Sequence, residues 1–160
     1  MIKPTKSTFI TGLIIFLIIN FITLGIGGLF TGPGVTSEWY TGLSKAPWTP
    51  PGWVFGFAWT TIMICFSIYL AYLWPRAKNH TMLVTLYAVQ ILLNFGWNPI
   101  FFYFHLVLPA LVCILALTLL VGYFLFNYKS DVKAVSLLLL PYLVWLFIAT
   151  SLNWYVLLNN

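Results

Sequence analysis

The chain has 160 residues, 62% of them hydrophobic and 6% charged, where an ordinary soluble domain carries about 25% charged residues. So few charges leave too little polar surface to solvate a globule of this size, which excludes a soluble domain and makes the chain an integral membrane protein. The net charge of +5 is scattered over the ends of apolar segments with no basic stripe, which excludes nucleic acid as a partner.

Five apolar stretches reach the roughly 20 residues that a helix needs to cross a bilayer core. They are predicted over about residues 7–30, 52–74, 81–104, 106–127 and 134–157. The runs are continuous and lack the alternation of a membrane barrel, so the class is all-α. Lys3 and Lys6 precede the first stretch, but no small-residue cleavage site follows it, so it reads as a span and not as a leader. Within this first span Asn20, Thr23 and Gly27 share a face. Gly25, Gly28 and Gly32 are expected to permit close helix approach or flexibility near the lid, with packing the default role.

Residues 31–51 form the longest interruption between spans. The segment from Trp39 to Trp53 carries three of the eight tryptophans together with Pro47, Pro50 and Pro51. Rigid prolines and large rings suit a lid over a binding site better than a plain connection. Pro51 suits the start of the second span. Trp59 lies about two turns further in, where its indole N–H needs a polar partner and a cavity-facing position is favoured over lipid.

Residues 75–80 link spans two and three, and spans three and four turn tightly near His105. Span three places Tyr87, Gln90, Asn94, Trp97 or Asn98, and Phe101 at intervals of three or four residues, on one helix face. Amides in hydrocarbon require partners. Gln90, Asn94 and Asn98 therefore face the bundle interior, either stapling helices together or lining a pocket with the flanking rings. Cys65 and Cys113 fall within apolar runs and read as small core or lipid-facing residues, without a disulfide or metal role. Residues 128–133 lead to span five, where Tyr142, Trp145, Ala149 and Asn153 form a second stripe. Ala149 leaves room inside the bundle, and Pro141 is expected to kink the helix.

Short links predict antiparallel neighbours in a compact bundle. Lys3, Lys6, Arg76, Lys78, Lys129 and Lys133 fall on one side of the membrane and Lys45 on the other. The positive-inside rule then places the N-terminus in the cytoplasm of a multi-pass cell-membrane protein, with the 31–51 segment facing outward. Glu38 and Asp131 are both in loops. No ionisable group lies inside a span, which argues against a proton- or ion-coupled carrier. There is no Cys/His cluster for a metal and no nucleophile–base pair, and His80 and His105 at span ends suit an interface better than haem ligation. A cavity of Trp, Tyr and Phe rings with a few amides fits a flat, largely apolar ligand with a polar edge. Lys45 is placed to meet an acidic edge group.

These residues resemble the translocator protein family, also called tryptophan-rich sensory proteins or peripheral benzodiazepine receptors, in its bacterial form. The lid matches W-Y-x-x-L-x-K-x-x-W-x-P-P-G through Trp39, Tyr40, Leu43, Lys45, Trp48, Pro50, Pro51 and Gly52. Span three matches Q-x-x-x-N-x-x-W-x-P-x-F-F through Gln90, Asn94, Trp97, Pro99, Phe101 and Phe102. Span five matches P-Y-x-x-W-x-x-x-A-x-x-L-N through Pro141, Tyr142, Trp145, Ala149, Leu152 and Asn153.

The resemblance implies a bundle of five transmembrane helices with a lid loop between the first two, forming a homodimer in the lipid bilayer. It implies a pocket for porphyrins and for benzodiazepine- or isoquinoline-type ligands, lined by Tyr40, Pro50, Trp59, Asn94, Asn98, Trp145 and Ala149. With the stripe residues, the candidate ligand-binding set is Tyr40, Lys45, Pro50, Trp59, Gln90, Asn94, Trp97, Asn98, Phe101, Tyr142, Trp145 and Ala149. No cofactor is obligatory; porphyrin is ligand or substrate. The leading function is a porphyrin-binding membrane receptor or sensor. The alternatives are a light- and oxygen-dependent porphyrin-degrading enzyme, with Trp59 and Trp145 as its catalytic residues, and a facilitated transporter of lipophiles. Two departures bear on partners. Tyr155 is followed by Val156-Leu157-Leu158-Asn159-Asn160, without the basic residue that ends the animal cholesterol motif, so cholesterol is not an expected partner. The small-residue pair at the family's dimer seam reads Thr85…Val89, which weakens close packing there.

Overall fold

The computed structural model describes residues 6–160; Lys3, one of the cations counted above, lies outside them. The elements in chain order are α1 (Lys6–Thr36), α2 (Glu38–Gly42), α3 (Gly52–Leu73), a 3₁₀ turn (Trp74–Arg76), α4 (His80–Phe102), α5 (Val107–Asn127), α6 (Lys129–Val132), a 3₁₀ segment (Lys133–Leu139) and α7 (Leu140–Asn159). Five of the helical segments are long and apolar enough to cross a membrane, and the expected all-α integral membrane bundle is found.

Two boundaries differ from expectation for a local reason. The first helix was expected to stop near residue 30, yet α1 runs through Pro33 to Thr36. Pro33 removes one intrahelical donor, and hydroxyls stabilise the last turn instead. Thr36 Oγ1 donates to the Pro33 carbonyl at 3.0 Å and Ser37 Oγ to the Gly34 carbonyl at 2.7 Å. Ser37 Oγ in turn accepts the Tyr40 N–H at 3.2 Å, capping α2. The lid is therefore half helical, with its irregular part over 43–51. Pro141 does not kink a helix interior. The chain before it is a 3₁₀ segment, and Pro141 occupies the first turn of α7, where the missing N–H breaks no helical bond.

The helices close into a ring in the order α3, α1, α4, α5, α7 and back to α3. The short link between α3 and α4 does not make them backbone neighbours. Helix α1 is inserted between them, and they meet through side chains such as Phe66 and Tyr87, whose ring centroids lie 6.1 Å apart. Buried polar groups fix α1 in this slot. Asn20 Nδ2 donates to Ser67 Oγ at 2.8 Å, and the Tyr87 hydroxyl donates to Asn20 Oδ1 at 2.8 Å. Nearer the lid, Thr31 Oγ1 donates to Asn98 Oδ1 at 2.6 Å.

Close approach of α1 to α4 occurs at Gly27 and Gly34. A Cβ at Gly27 would sit 2.8 Å from Asn98 Nδ2, and one at Gly34 would sit 2.5 to 2.6 Å from three atoms of Phe102. At Gly25, Gly28 and Gly32 a Cβ would meet nothing within 4 Å. The expectation that those three permit close packing is therefore corrected; they face away from the neighbouring helices. Cys65 and Cys113 are free thiols.

Candidate ligand-binding cavity

The lid end of the bundle gathers the C-terminal ends of α1, α4 and α7 and the start of α3. Trp39 stacks on His105 at 4.1 Å and 17° and packs edge-on against Phe101 at 5.3 Å. His105 holds a left-handed backbone conformation, φ 57°, which turns the chain tightly between α4 and α5. Trp48 reaches to α7, where its indole N–H donates to Ser151 Oγ at 3.1 Å and its ring meets Tyr155 at 5.4 Å. Asn160 holds Ser44 by both main-chain groups, accepting its N–H at 2.9 Å and donating to its carbonyl at 3.3 Å.

Beneath the lid, α3, α4, α5 and α7 enclose a cavity of about 40 Å³ lined by Phe55, Trp59, Asn94, Trp97, Ile114, Leu117, Trp145, Leu146 and Ala149. Phe55 meets Trp145 edge-on at 5.1 Å. Trp97 is stacked on Phe101 at 5.2 Å and 13°. Its indole N–H donates to Asn153 Oδ1 at 3.2 Å, and Asn153 Nδ2 donates to the Val107 carbonyl at 3.0 Å. That chain fixes the Trp97 ring and joins α4, α7 and the start of α5. Asn94 is 8% exposed, and its side-chain amide makes no hydrogen bond among the described residues. Its polar atoms retain contact with the cavity space that they line. A buried amide left without a partner is costly in a folded protein, so this one is available to a ligand.

A layer one helical turn deeper contains Gln90 and Tyr142, both 1% exposed. Gln90 Nε2 donates to the Tyr142 hydroxyl at 2.9 Å. The Tyr142 ring lies against Trp59 at 6.1 Å, so this pair sits directly beneath the cavity, behind its lining.

The twelve expected site residues thus divide by position. Trp59, Asn94, Trp97, Trp145 and Ala149 line the cavity, with Gln90 and Tyr142 below. Phe101 stands behind Trp97, between the cavity wall and the lid. Tyr40 packs on Phe101 and Phe102 at 6.4 and 5.5 Å. The Lys45 ammonium sits 4.5 Å from the Tyr40 ring centroid, a cation–π contact. Burial pushes the Tyr40 phenol above its ordinary pKa, so the ring stays neutral beneath that cation. Pro50 lies where the lid meets α3. Asn98 turns to α1 and is held by Thr31, outside the cavity lining.

The lining also contains residues the sequence reading did not single out. Phe55 precedes Trp59 by four residues, and that spacing was a usable signal. Ile114, Leu117 and Leu146 carry no polar or aromatic mark in an apolar helix and offered none. A larger groove of about 620 Å³ runs along the outer face of α7 between Trp48, Phe147, Trp154 and Tyr155. It opens outward from the bundle and contains none of the cavity residues. Among the described residues no group of His, Cys, Asp and Glu could hold a metal ion.

Residues 14–158 match the sequence model of the TspO/MBR family. The tryptophan-rich protein TspO of Archaeoglobus fulgidus is 35% identical over 144 residues, covering 89% of this chain and 94% of that one. The human translocator protein is 32% identical over 141 residues, covering 83% of each. The tryptophan-rich sensory protein of Cereibacter sphaeroides is 32% identical over 116 residues, covering 72% of this chain and 73% of its own. A five-helix membrane bundle, the lid motif and a family match spanning nearly the whole chain converge: the protein belongs to the TspO/MBR family.

Proposed function

We propose that the protein is a membrane receptor or sensor for a flat tetrapyrrole of the protoporphyrin type, bound in the cavity between α3, α4, α5 and α7. The carrying observation is Asn94, a nine-tenths buried amide without a hydrogen-bond partner among the described residues, in a wall otherwise made of aromatic and aliphatic side chains. Aromatic faces stack on an extended π-system, and one amide orients its polar edge. The human relative's name, translocator protein, and the sensory name of the Cereibacter relative agree with ligand handling at a membrane.

A cavity of about 40 Å³ holds little more than one water, whereas drug-sized ligands occupy roughly 300–1,000 Å³. Binding therefore requires the lid and the ends of α3 and α7 to separate. The lid contacts at Trp39, Trp48 and Ser44 set the cost of that step. On the same reading Lys45 approaches a ligand carboxylate once Tyr40 moves, and the cation-poor lid end faces outward from a cell membrane with the N-terminus in the cytoplasm. A homodimer would meet along the exposed α4 strip that includes Thr85 and Val89.

Titration of the bilayer-reconstituted protein with protoporphyrin IX in darkness should quench tryptophan fluorescence saturably. Asn94→Ala and Trp145→Phe should each weaken binding about tenfold, as expected for loss of a buried polar or stacking contact. Unchanged affinity in both variants would remove the cavity from consideration.

A second reading has a specific observation behind it. Trp59 and Trp145 both line the cavity, so both indoles would flank a bound porphyrin while light excites it and oxygen, the oxidant, attacks its ring. Bleaching of the porphyrin bands under light should then exceed that of free porphyrin in the same lipid, and Trp59→Phe with Trp145→Phe should abolish the excess. Equal bleaching with and without protein leaves the receptor reading alone.

A further inference from the structure

Directly beneath the cavity, behind Trp59, lies an unused hydrogen-bonding edge. Gln90 is 1% exposed, and its Oε1 is fully buried with no partner among the described residues. The other end of the same amide is engaged, since Nε2 donates to the Tyr142 hydroxyl at 2.9 Å. That hydroxyl acts as acceptor in this bond, so its own proton remains for a further acceptor. The pair therefore offers one acceptor and one donor side by side. A half-turn of the carboxamide exchanges which atom is bonded, but one acceptor or donor function on Gln90 is left over in either setting.

A buried polar atom of this kind is uncommon in folded proteins and points to an absent partner. Stapling of helices does not account for it. The bond to Tyr142 already joins α4 to α7, and a Gln chosen for stapling alone would spend both ends. Its position is also specific. Asn94, one turn above on the same helix face, lines the cavity with its amide likewise unbonded. Trp59, which lines the cavity too, rests against the Tyr142 ring. A ligand that displaces Trp59 from the Tyr142 ring reaches this pair next.

We propose that Gln90 and Tyr142 are the specificity-determining pair beneath the cavity and select ligands that present a secondary lactam edge, with N–H donated to Gln90 Oε1 and C=O accepting from Tyr142. A lactam holds its N–H and C=O on one side of the ring, parallel to each other, which matches an acceptor beside a donor. Linear tetrapyrroles end in such lactams; the closed porphyrin ring turns its pyrrole N–H groups inward and has no such edge. The inference rests on the cavity reading above and shifts its preferred ligand from the closed porphyrin to an open, lactam-ended tetrapyrrole.

A matched pair of probes tests it, a 1,4-benzodiazepin-2-one with a free N1–H and its N1-methyl counterpart. The two differ in the one donor at issue. With the full chain in lipid nanodiscs, the N–H probe should bind roughly three- to tenfold more tightly than the N-methyl probe, the range for one neutral hydrogen bond to a buried acceptor. Gln90→Met keeps the side-chain length and should bring the ratio to about one. Asn94→Ala should weaken both probes and leave the ratio unchanged. A thermal melt of each variant establishes that the bundle is intact. Equal binding of the two probes to the unaltered protein, as a buried water on Gln90 would produce, overturns the proposal. So does a preference that survives in Gln90→Met. If protoporphyrin IX binds and neither benzodiazepinone does, the lactam proposal fails while the cavity stands. If nothing binds, the cavity reading fails with it.

Discussion

Asn160 grips the backbone of Ser44 from both sides, with Oδ1 on its N–H at 2.9 Å and Nδ2 on its carbonyl at 3.3 Å. These residues are 116 positions apart, and the contact ties the irregular half of the lid to the end of α7. Trp48 and Ser151 make a second tie two helical turns earlier on α7.

Because both ties lie at the exposed rim, each is worth a modest amount. Asn160→Ala removes both hydrogen bonds to the lid, along with the one Nδ2 donates to the Val156 carbonyl at 2.9 Å, and should cost about 1 kcal/mol of lid closure. The observable consequence is a ligand off-rate faster by about fivefold, with earlier deuterium uptake in residues 43–50 and little change in the melting temperature of the bundle. If exchange in the lid is unaltered, the Ser44 contact does not hold it shut.

Burial makes the α1 staple more consequential. Asn20 connects Ser67 on α3 with Tyr87 on α4, and it is 2% exposed. Asn20→Leu leaves the Tyr87 hydroxyl without its acceptor and takes away the donor to Ser67 Oγ, which still bonds the Met63 carbonyl at 2.7 Å, and should destabilise the bundle by about 2 kcal/mol. Tyr87→Phe removes one bond and should cost about half as much. Helix associations in membranes average less than the largest of these figures, so a reversible SDS-unfolding series measuring the two variants together is the appropriate check. No loss in Tyr87→Phe, which keeps the ring, would mean that ring packing around Tyr87 and not its hydrogen bond holds α1.

The glycines of α1 separate into two groups by what surrounds them. Gly34→Ala drives a Cβ to within 2.6 Å of the Phe102 Cβ, an atom tied closely to the backbone that cannot turn aside. The helices must part, at about 1–3 kcal/mol. Gly28→Ala meets open space and should be neutral or stabilising by up to about 1 kcal/mol through helix propensity. Melting temperatures should therefore fall for the first and hold or rise for the second. The reverse order would show that α1 and α4 do not pack through Gly34.

This contrast also marks where sequence reasoning reached and where it stopped. The five spans were legible because apolar runs of that length have no other use in so uncharged a chain. Helix type and face in α4 were legible because Gln90, Asn94 and Phe101 recur at helical spacing among apolar neighbours. The glycine faces were legible only in part: Asn20 and Gly27 mark the protein side of α1 and Gly34 continues it seven residues on, but reading Gly25, Gly28 and Gly32 as packing residues leaves that stripe out of account. The α1 boundary was misplaced because the apolar run ends near residue 30, while the hydroxyls of Thr36 and Ser37 carry the helix on past Pro33. The ring order was hidden too. Short links constrain direction, but the insertion of α1 between α3 and α4 depends on Asn20 finding Ser67 and Tyr87, contacts of long sequence separation. Within the cavity, aromatic and amide residues announced themselves, whereas Ile114 and Leu117 look like any lipid-facing residue of α5.

Ala149 offers the most direct control on the cavity itself. It lies one turn beyond Trp145 on α7 and borders a space of about 40 Å³. Replacing it by Leu adds three carbons, more than that space accommodates without some movement of Trp145 or Trp97. In the unliganded bundle the extra apolar atoms fill a void, so the cost of overpacking, about 1–3 kcal/mol, is offset in part by burial. For a flat ligand the same atoms occupy the slot between the rings. Ala149→Leu should therefore melt within a few degrees of the unaltered protein while losing at least tenfold in protoporphyrin IX affinity, and Ala149→Gly should bind as well as the parent or better. Fluorescence titration and thermal melting of the same preparations read the two effects separately. A Leu variant that binds normally would place the ligand elsewhere, with the outward groove beside Trp48 and Trp154 as the next surface to test.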